Sequence, residues 1–146
     1  MTWNQLFQQN RLQRHSTNKQ EIDQLRQVIA RGLADAAVTA ISTDLRFQAA
    51  YSAVLQLATT AIYCAGYRVK GREHHKTTFE ALPLAMGNIV TQQANYFDTC
   101  RIKRNTIMYD RAGLVSETEV ENLVEEAKSF QQLVEAWMTQ NYPQLT

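Results

Sequence analysis

The sequence predicts an all-α protein, an up-and-down four-helix bundle with one or two extra short helices. Apolar residues recur at intervals of three and four along most of the chain, which is the spacing of one helical face. Glycine (5 residues) and proline (2 residues) are scarce, so long helices meet few interruptions. Strand-type alternation is almost absent, and the 146 residues contain no repeat or Pro/Ser-rich linker. We therefore expect a single domain spanning residues 1–146.

Two helices are predicted in the N-terminal part of the chain. The first is short, from Trp3 to Arg14, and turns its large apolar side chains inward. Asn18 and Glu21 have the spacing of a capping box and open the second helix. The apolar stripe of the second helix consists of Ile22, Leu25, Val28/Ile29, Leu33, Ala36/Ala37 and Ala40.

The third predicted helix is rich in alanine on its apolar face, which indicates close approach to a neighbouring helix. Ser42 or Thr43 can cap its start, and Gly66 can end it by taking the left-handed conformation. Its stripe consists of Phe47, Tyr51, Val54/Leu55, Ala58, Ala61/Ile62 and Ala65. The polar, basic stretch from Tyr67 to His75 is expected to be a loop.

Three further helices are predicted in the second half. A short one runs over Thr77–Leu82, and Pro83 is expected to break it because proline lacks a backbone donor. The next covers Asn88–Tyr109. Ser116 and Glu119 form a capping box for the last helix, which ends before Pro143. The core positions of the last helix are Val120, Leu123/Val124, Ala127, Phe130, Leu133/Val134 and Trp137/Met138.

Charge is distributed unevenly although the net charge is only +1. Residues 66–111 hold eight Lys/Arg against four Asp/Glu, whereas residues 112–146 hold six Glu and one Lys. Two interpretations remain open. The two segments are solvated faces that attract each other, or the basic segment is a patch for a phosphate-bearing ligand.

Several classes of protein are disfavoured by the sequence. The N-terminal residues lack the basic and apolar regions of a signal peptide, and no apolar run approaches the roughly 18 residues of a membrane span. Cys64 and Cys100 both fall within helical patterns, so we expect buried thiols, no disulfide and a cytoplasmic location.

The helix predicted over residues 88–109 carries a charged residue on its apolar side. On a helical wheel of residues 88–109, Arg104 falls in the middle of the apolar side, where a charge is costly unless it is paired or lies at a cleft. Asp98, Arg101, Asn105 and Tyr109 follow a neighbouring face at spacings of three and four. The predicted core side consists of Ile89, Val90, Tyr96, Phe97, Cys100, Ile107 and Met108.

The segment Cys100–Asp110, CRIKRNTIMYD, resembles the signature of HEPN domains, the higher eukaryote and prokaryote nucleotide-binding family. In that family a helix of a small bundle carries an Arg, a polar neighbour that is often Asn, and then a His, commonly written R-x4-6-H. Arg104 and Asn105 match the first two positions. Tyr109 stands where the His would be, which is a departure at the catalytic position.

The resemblance implies a symmetric homodimer in which two motif helices meet across a cleft. It implies a metal-independent ribonuclease, with Arg104 and Tyr109 at the catalytic positions, or the toxin or substrate-binding partner of a small nucleotidyltransferase in a toxin–antitoxin or defence setting. The residues expected to bind nucleotide or RNA phosphate are Arg101, Lys103, Arg104 and Asn105. Because a tyrosine hydroxyl has a reference pKa near 10, Tyr109 is a poor base at neutral pH. Binding therefore survives the substitution better than cleavage does.

Histidines offer a further possibility. His74 and His75 are adjacent and point to different sides of a helix or strand, without carboxylate or cysteine partners at ligand spacing. We therefore expect no metal, and the sequence implies no cofactor. The stretch Arg68–Lys76 is either a solvated loop or a segment that follows an RNA backbone, with His74 or His75 as a replacement acid or base.

Two hypotheses follow from these patterns. In the first, a HEPN-like homodimer binds nucleotide or RNA through Arg104. In the second, the chain is a non-enzymatic interaction module, and Arg104 is a buried structural ion pair with a glutamate of the last helix. A binding cleft needs Arg104 partly open to solvent near other cations, whereas a structural pair needs it closed off against a carboxylate.

Overall fold

The computed structural model describes residues 1–109 and 113–146, apart from the side chain of Tyr109. Helices dominate the described residues, which confirms the predicted all-α class. The elements are α1 (Trp3–Gln8), β1 (Leu12–Arg14), α2 (Lys19–Ala36), α3 (Thr43–Cys64), β2 (Tyr67–Val69), α4 (His74–Met86), α5 (Thr91–Tyr109) and α6 (Glu117–Asn141). Single 3-10 turns precede α5 (Asn88–Val90) and follow α6 (Pro143–Leu145).

Helix α3 is the central element and contacts α2, α4, α5 and α6. Arg46, in the first turn of α3, reaches both the carbonyl of Ala36 at the end of α2 and Glu117 at the start of α6. Lys103, late in α5, pairs with Glu119 near the start of α6. Helices α2, α3, α5 and α6 therefore alternate in direction along the chain, as expected of an up-and-down bundle.

The helix ends follow local capping chemistry, as the sequence predicts. The side chains of Asn18, Ser42 and Ser116 accept hydrogen bonds from backbone N–H groups three residues later. Ser116 and Glu119 complete the reciprocal capping box. Gly66 has φ 95°, a left-handed conformation that terminates α3 at the predicted place.

The core is built around α3 and includes buried side chains of α2, α4, α5 and α6. Phe97 and Phe130 are fully buried, with ring centroids 5.1 Å apart. The predicted core face of α6 is confirmed by its buried residues, which are Val120, Leu123, Ala127, Phe130, Val134 and Met138. The predicted close approach is confirmed between α2 and α3, since a Cβ built on Gly32 would lie 3.0 Å from the carbonyl oxygen of Ala49.

The N-terminal helix is shorter than predicted and is followed by a strand. Asn10 adopts φ 58°, which ends α1 before residue 14, and β1 then pairs antiparallel with β2. The predicted loop Tyr67–His75 is accordingly wrong at both ends, because it contains β2 and the start of α4. Local periodicity does not reveal this pairing, since it places Leu12 opposite Val69, across most of the first half of the chain.

Pro83 does not break its helix. Helix α4 starts at His74, before the predicted start at Thr77, and continues through Pro83 to Met86. The proline lies near the C-terminal end, so its missing donor removes one helical hydrogen bond only. Gly87, with φ 91°, ends the helix instead.

Two residues predicted on the core side of the helix over residues 88–109 are exposed. Ile89 is 74% exposed and Met108 is 45% exposed, whereas Val90, Phe97, Cys100 and Ile107 are buried as predicted. Ile89 lies in the 3-10 turn before α5, where the wheel for a continuous helix does not apply. The second helix also ends at Ala36 instead of Ala40.

Both cysteines are free and buried, which confirms the prediction of thiols without a disulfide. Burial raises the pKa of Cys64 and of Cys100 to about 11. Within residues 1–109 and 113–146, no helix has the length and apolar character needed to cross a bilayer.

Candidate functional site

A cleft of about 500 Å³ lies between the start of α4 and the C-terminal half of α5. Helix α5 contributes Arg101, Arg104 and Asn105. The opposite wall is formed by the turn before α4 and by its first residues, namely Arg72, Glu73, His74, His75 and Lys76. We call this feature the basic cleft.

The start of α4 is held in place by the N-terminal segment. The Arg11 guanidinium donates to the Thr77 hydroxyl (2.9 Å) and pairs with the Glu80 carboxylate (2.7 Å). The cap residue Glu73 makes no side-chain hydrogen bond to the first turn of α4. Backbone N–H groups of a first turn that lack a side-chain cap carry a partial positive charge, which favours an anion at this end of the helix.

Arg104 is half-buried and lies over the face of Tyr51, with its guanidinium carbon 5.8 Å from the ring centroid. Its Nη1 donates to the Asn105 side-chain oxygen at 3.3 Å. Among residues 1–109 and 113–146, no carboxylate oxygen lies within 4.0 Å of the Arg104 guanidinium nitrogens, the distance that defines an ion pair. The geometry therefore meets the requirement for a binding cleft and not the requirement for a structural pair.

Arg101 lies one turn before Arg104 and is also half-buried. Its Nε donates to the Asp98 carboxylate at 2.7 Å, and this hydrogen bond raises the pKa of Arg101. Bonding through Nε orients the flat guanidinium, and the planar fork of an arginine suits recognition of phosphate oxygens.

The two histidines predicted to lie in a loop are in the first turn of α4. His75 Nδ1 is 3.1 Å from the Tyr51 hydroxyl, and its ring is half-buried. Burial, followed by the charges of His74, Arg104 and Arg101, lowers the pKa of His75 to about 4, so the imidazole is neutral at pH 7. His74 Nδ1 is 3.2 Å from the Gly71 carbonyl oxygen and therefore donates to it.

The charges of the basic cleft are predominantly positive. Four cationic side chains line it, and the single carboxylate in its lining is that of Glu73. The cationic residues are Arg72, Lys76, Arg101 and Arg104. Within the described residues there is no group of three or more His, Cys, Asp or Glu side chains that could hold a metal ion. The lining chemistry of the cleft thus suits an anion.

Lys103, predicted with the phosphate-binding residues, lies on another side of α5. Its ammonium pairs with Glu119 at 3.2 Å, and its side chain borders a groove towards α6. The acidic last helix uses further carboxylates in the same way, since Glu135 pairs with Arg26 and Glu117 with Arg46. Attraction between basic and acidic faces therefore accounts for Lys103, whereas Arg101 and Arg104 face the cleft.

Tyr109 is the last residue of α5, and its predicted catalytic side chain lies outside the described part of the structure. Sequence reasoning assigned Tyr51 only to the core, where it is 2% exposed. Its ring supports Arg104 while its hydroxyl contacts His75, so a core residue organises the cleft. The sequence signal for this role was a tyrosine, a large aromatic residue with a polar hydroxyl, within the alanine-rich apolar stripe of α3.

The family comparison confirms the resemblance to HEPN domains. A family model described as SAV_6107-like HEPN matches residues 34–135, which is more than half of the chain. The chain belongs to the HEPN family. The match contains α3, α4 and α5, and therefore the whole basic cleft, whereas α1 and β1 lie outside it. Neither the curated proteins nor the solved structures contain a match to this HEPN domain.

Proposed function

We propose that this HEPN domain binds the phosphate groups of RNA or of a nucleotide in the basic cleft, through Arg104, Arg101 and Asn105. The observation that carries the proposal is the setting of Arg104. Arg104 is partly open to solvent and lines the cleft, lies near other cations, and has no carboxylate within ion-pair distance among the described residues. Holding a charged guanidinium partly out of water without a counter-charge costs free energy. A phosphate that binds to the guanidinium offsets this cost.

The first turn of α4 supports the same ligand from the opposite wall. Its N–H groups and the Lys76 side chain add positive potential without adding a metal site. Neutral His75 can donate or accept a hydrogen bond according to its tautomer, and Asn105 can do both. The set is therefore able to bind a phosphodiester and the sugar hydroxyl groups next to it.

The test is binding of a short fluorescein-labelled RNA, measured by fluorescence anisotropy in EDTA. We expect Arg104→Ala to weaken binding about tenfold or more, since a hydrogen bond to a charged group contributes about 1.5–3 kcal/mol. Arg31→Ala removes an exposed arginine of α2 and is the matched control for the loss of one positive charge. Equal affinity of the two variants would contradict the phosphate site.

Binding without efficient cleavage is the activity that we propose for this chain. The family motif has a His where this chain has Tyr109, and a phenol is a poor base at neutral pH. Incubation of the same RNA with wild-type protein in EDTA should leave it intact. Cleavage that disappears in the Arg104→Ala variant would instead assign a metal-independent ribonuclease activity to this cleft.

Family membership also supports a setting for this domain. We propose that it forms a homodimer in the cytoplasm and works beside a small nucleotidyltransferase, as a toxin or a substrate-binding subunit. Ile102, in the middle of α5, is 54% exposed and offers an apolar side chain for association through this helix. Light scattering should give the mass of a dimer, and Ile102→Glu should give the mass of a monomer; a wild-type monomer would contradict the arrangement.

The second hypothesis, an interaction module with Arg104 as a structural ion pair, makes the opposite prediction. In that case Arg104→Ala would lower the free energy of unfolding and leave any RNA binding unchanged. Chemical denaturation of the same two variants therefore separates the hypotheses.

A further inference from the structure

A smaller recess of about 160 Å³ adjoins the basic cleft, and His74 lines both. We call it the side recess. Helix α3 contributes Thr59, Ile62 and Tyr63, β2 contributes Arg68 and Val69, and α4 contributes His74 and Thr78. A ligand whose phosphate lies in the basic cleft can therefore extend past His74 into this second space.

The walls of the side recess suit a flat aromatic ring. Ile62 and Val69 provide an apolar surface, and Tyr63, His74 and Arg68 each carry a planar group. Nucleobases stack on aromatic rings and on guanidinium planes when proteins bind single-stranded RNA. The volume corresponds to roughly five water molecules at ~30 Å³ each, which is sufficient for a planar heterocycle and little more.

The two threonine hydroxyl groups in the side recess determine which hydrogen bonds a ligand can make there. Thr59 donates its proton to the Leu55 carbonyl at 2.8 Å, and Thr78 donates to the His74 carbonyl at 2.7 Å. Each hydroxyl oxygen can then only accept a hydrogen bond from a ligand. Two acceptors in a confined space favour a base whose exocyclic amino group offers two N–H donors over uracil, which has the single ring N3–H donor between two carbonyl acceptors.

We propose that the side recess binds an amino-bearing nucleobase, adenine, cytosine or guanine, of the nucleotide whose phosphate occupies the basic cleft. This inference rests on the proposed function, because Arg104 and Arg101 must hold the phosphate for the base to reach past His74. The first turn of α4 thus serves two purposes. It lines the basic cleft and, through His74, the side recess, whereas β2 lines the side recess alone.

The first experiment compares AMP, UMP and ribose 5-phosphate by titration calorimetry with the wild-type protein and with Arg104→Ala. We expect AMP to bind about tenfold more tightly than ribose 5-phosphate, which is the scale of one stacked base, and more tightly than UMP. All three should weaken in Arg104→Ala. If ribose 5-phosphate binds as tightly as AMP, and through Arg104, the base site is wrong and the phosphate site stands. If none of the three binds, both are wrong.

The second experiment changes the recess alone. Thr59→Leu fills the space, and Thr59→Val removes the acceptor at nearly constant volume. Both should lower the affinity for AMP several-fold and leave that for ribose 5-phosphate unchanged. Thr139→Val is the matched control, since its hydroxyl makes the same bond to a carbonyl four residues earlier, on α6 and outside both cavities. AMP affinity that is unaffected by both Thr59 substitutions would overturn the proposal.

Discussion

Two arginines of this HEPN domain, Arg46 and Arg104, show how one residue type serves two purposes. Arg46 is 6% exposed, donates to the Ala36 carbonyl at 2.8 Å and pairs with Glu117 at 2.9 Å. Arg104 is half-open to a cleft, lies over Tyr51 and makes one long hydrogen bond, to Asn105. Arg46 is the buried arginine that joins the acidic last helix, which is the role considered for Arg104 in the sequence.

The difference lies in what surrounds each guanidinium. The charge of Arg46 is neutralised by acceptors from two other helices, so it ties α2, α3 and α6 together. Around Arg104 the neighbouring charged groups are predominantly cations, and they lower the pKa of His75 as well. A site that retains repulsive charge without a ligand is less stable than it could be, and such sites are typical of binding function.

The largest expected effect is on the stability provided by Arg46. Arg46→Ala leaves the Ala36 carbonyl without its donor and removes packed side-chain atoms from the junction of three helices. We expect the free energy of unfolding to fall by about 2–3 kcal/mol, with RNA affinity unchanged. Urea denaturation measures the first and anisotropy the second. Arg104→Ala should show the reverse pattern; similar losses of stability in both variants would remove the distinction between the two arginines.

A smaller effect is expected from pH. The pKa of His75 is about 4 in the folded protein and near 6.5 in an unfolded chain, so the unfolded state binds more protons between these values. The free energy of unfolding contributed by His75 therefore falls as pH drops from about 6.5 to 4. We therefore compare the free energy of unfolding of His75→Gln with that of wild type at pH 7 and at pH 5. The difference should shift in favour of the variant at pH 5, by less than the loss expected for Arg46→Ala. An equal difference at both pH values would contradict a neutral His75.

The smallest effect is expected at Lys103. Its pair with Glu119 is partly exposed, and such pairs contribute about 0.2–1 kcal/mol to stability. Lys103→Ala should lower the free energy of unfolding by that amount and change RNA affinity by less than about twofold. A loss of affinity comparable to that of Arg104→Ala would place Lys103 back among the phosphate-binding residues.

Interactions between residues within one or two helical turns could be predicted from the sequence. Asn18, Ser42 and Ser116 bond to backbone groups three positions away, and the stripe that contains Phe130 follows the period of a single helix. Such interactions depend on neighbours along the chain, and so the helices and the all-α bundle could be predicted. Errors arose where a distant partner decides, as in the strand pairing of Leu12 with Val69.

The sequence by itself determined that this chain is a helical bundle with a HEPN motif and a misplaced arginine on its motif helix. Only the tertiary structure decided which arginine meets a carboxylate, because Arg46 and Glu117 are 71 positions apart. It likewise brought His75 of α4 to Tyr51 of α3, 24 positions away, and both to Arg104 of α5. Charge pairing and desolvation depend on distances in space, and a helical period specifies a face but not what the face will meet.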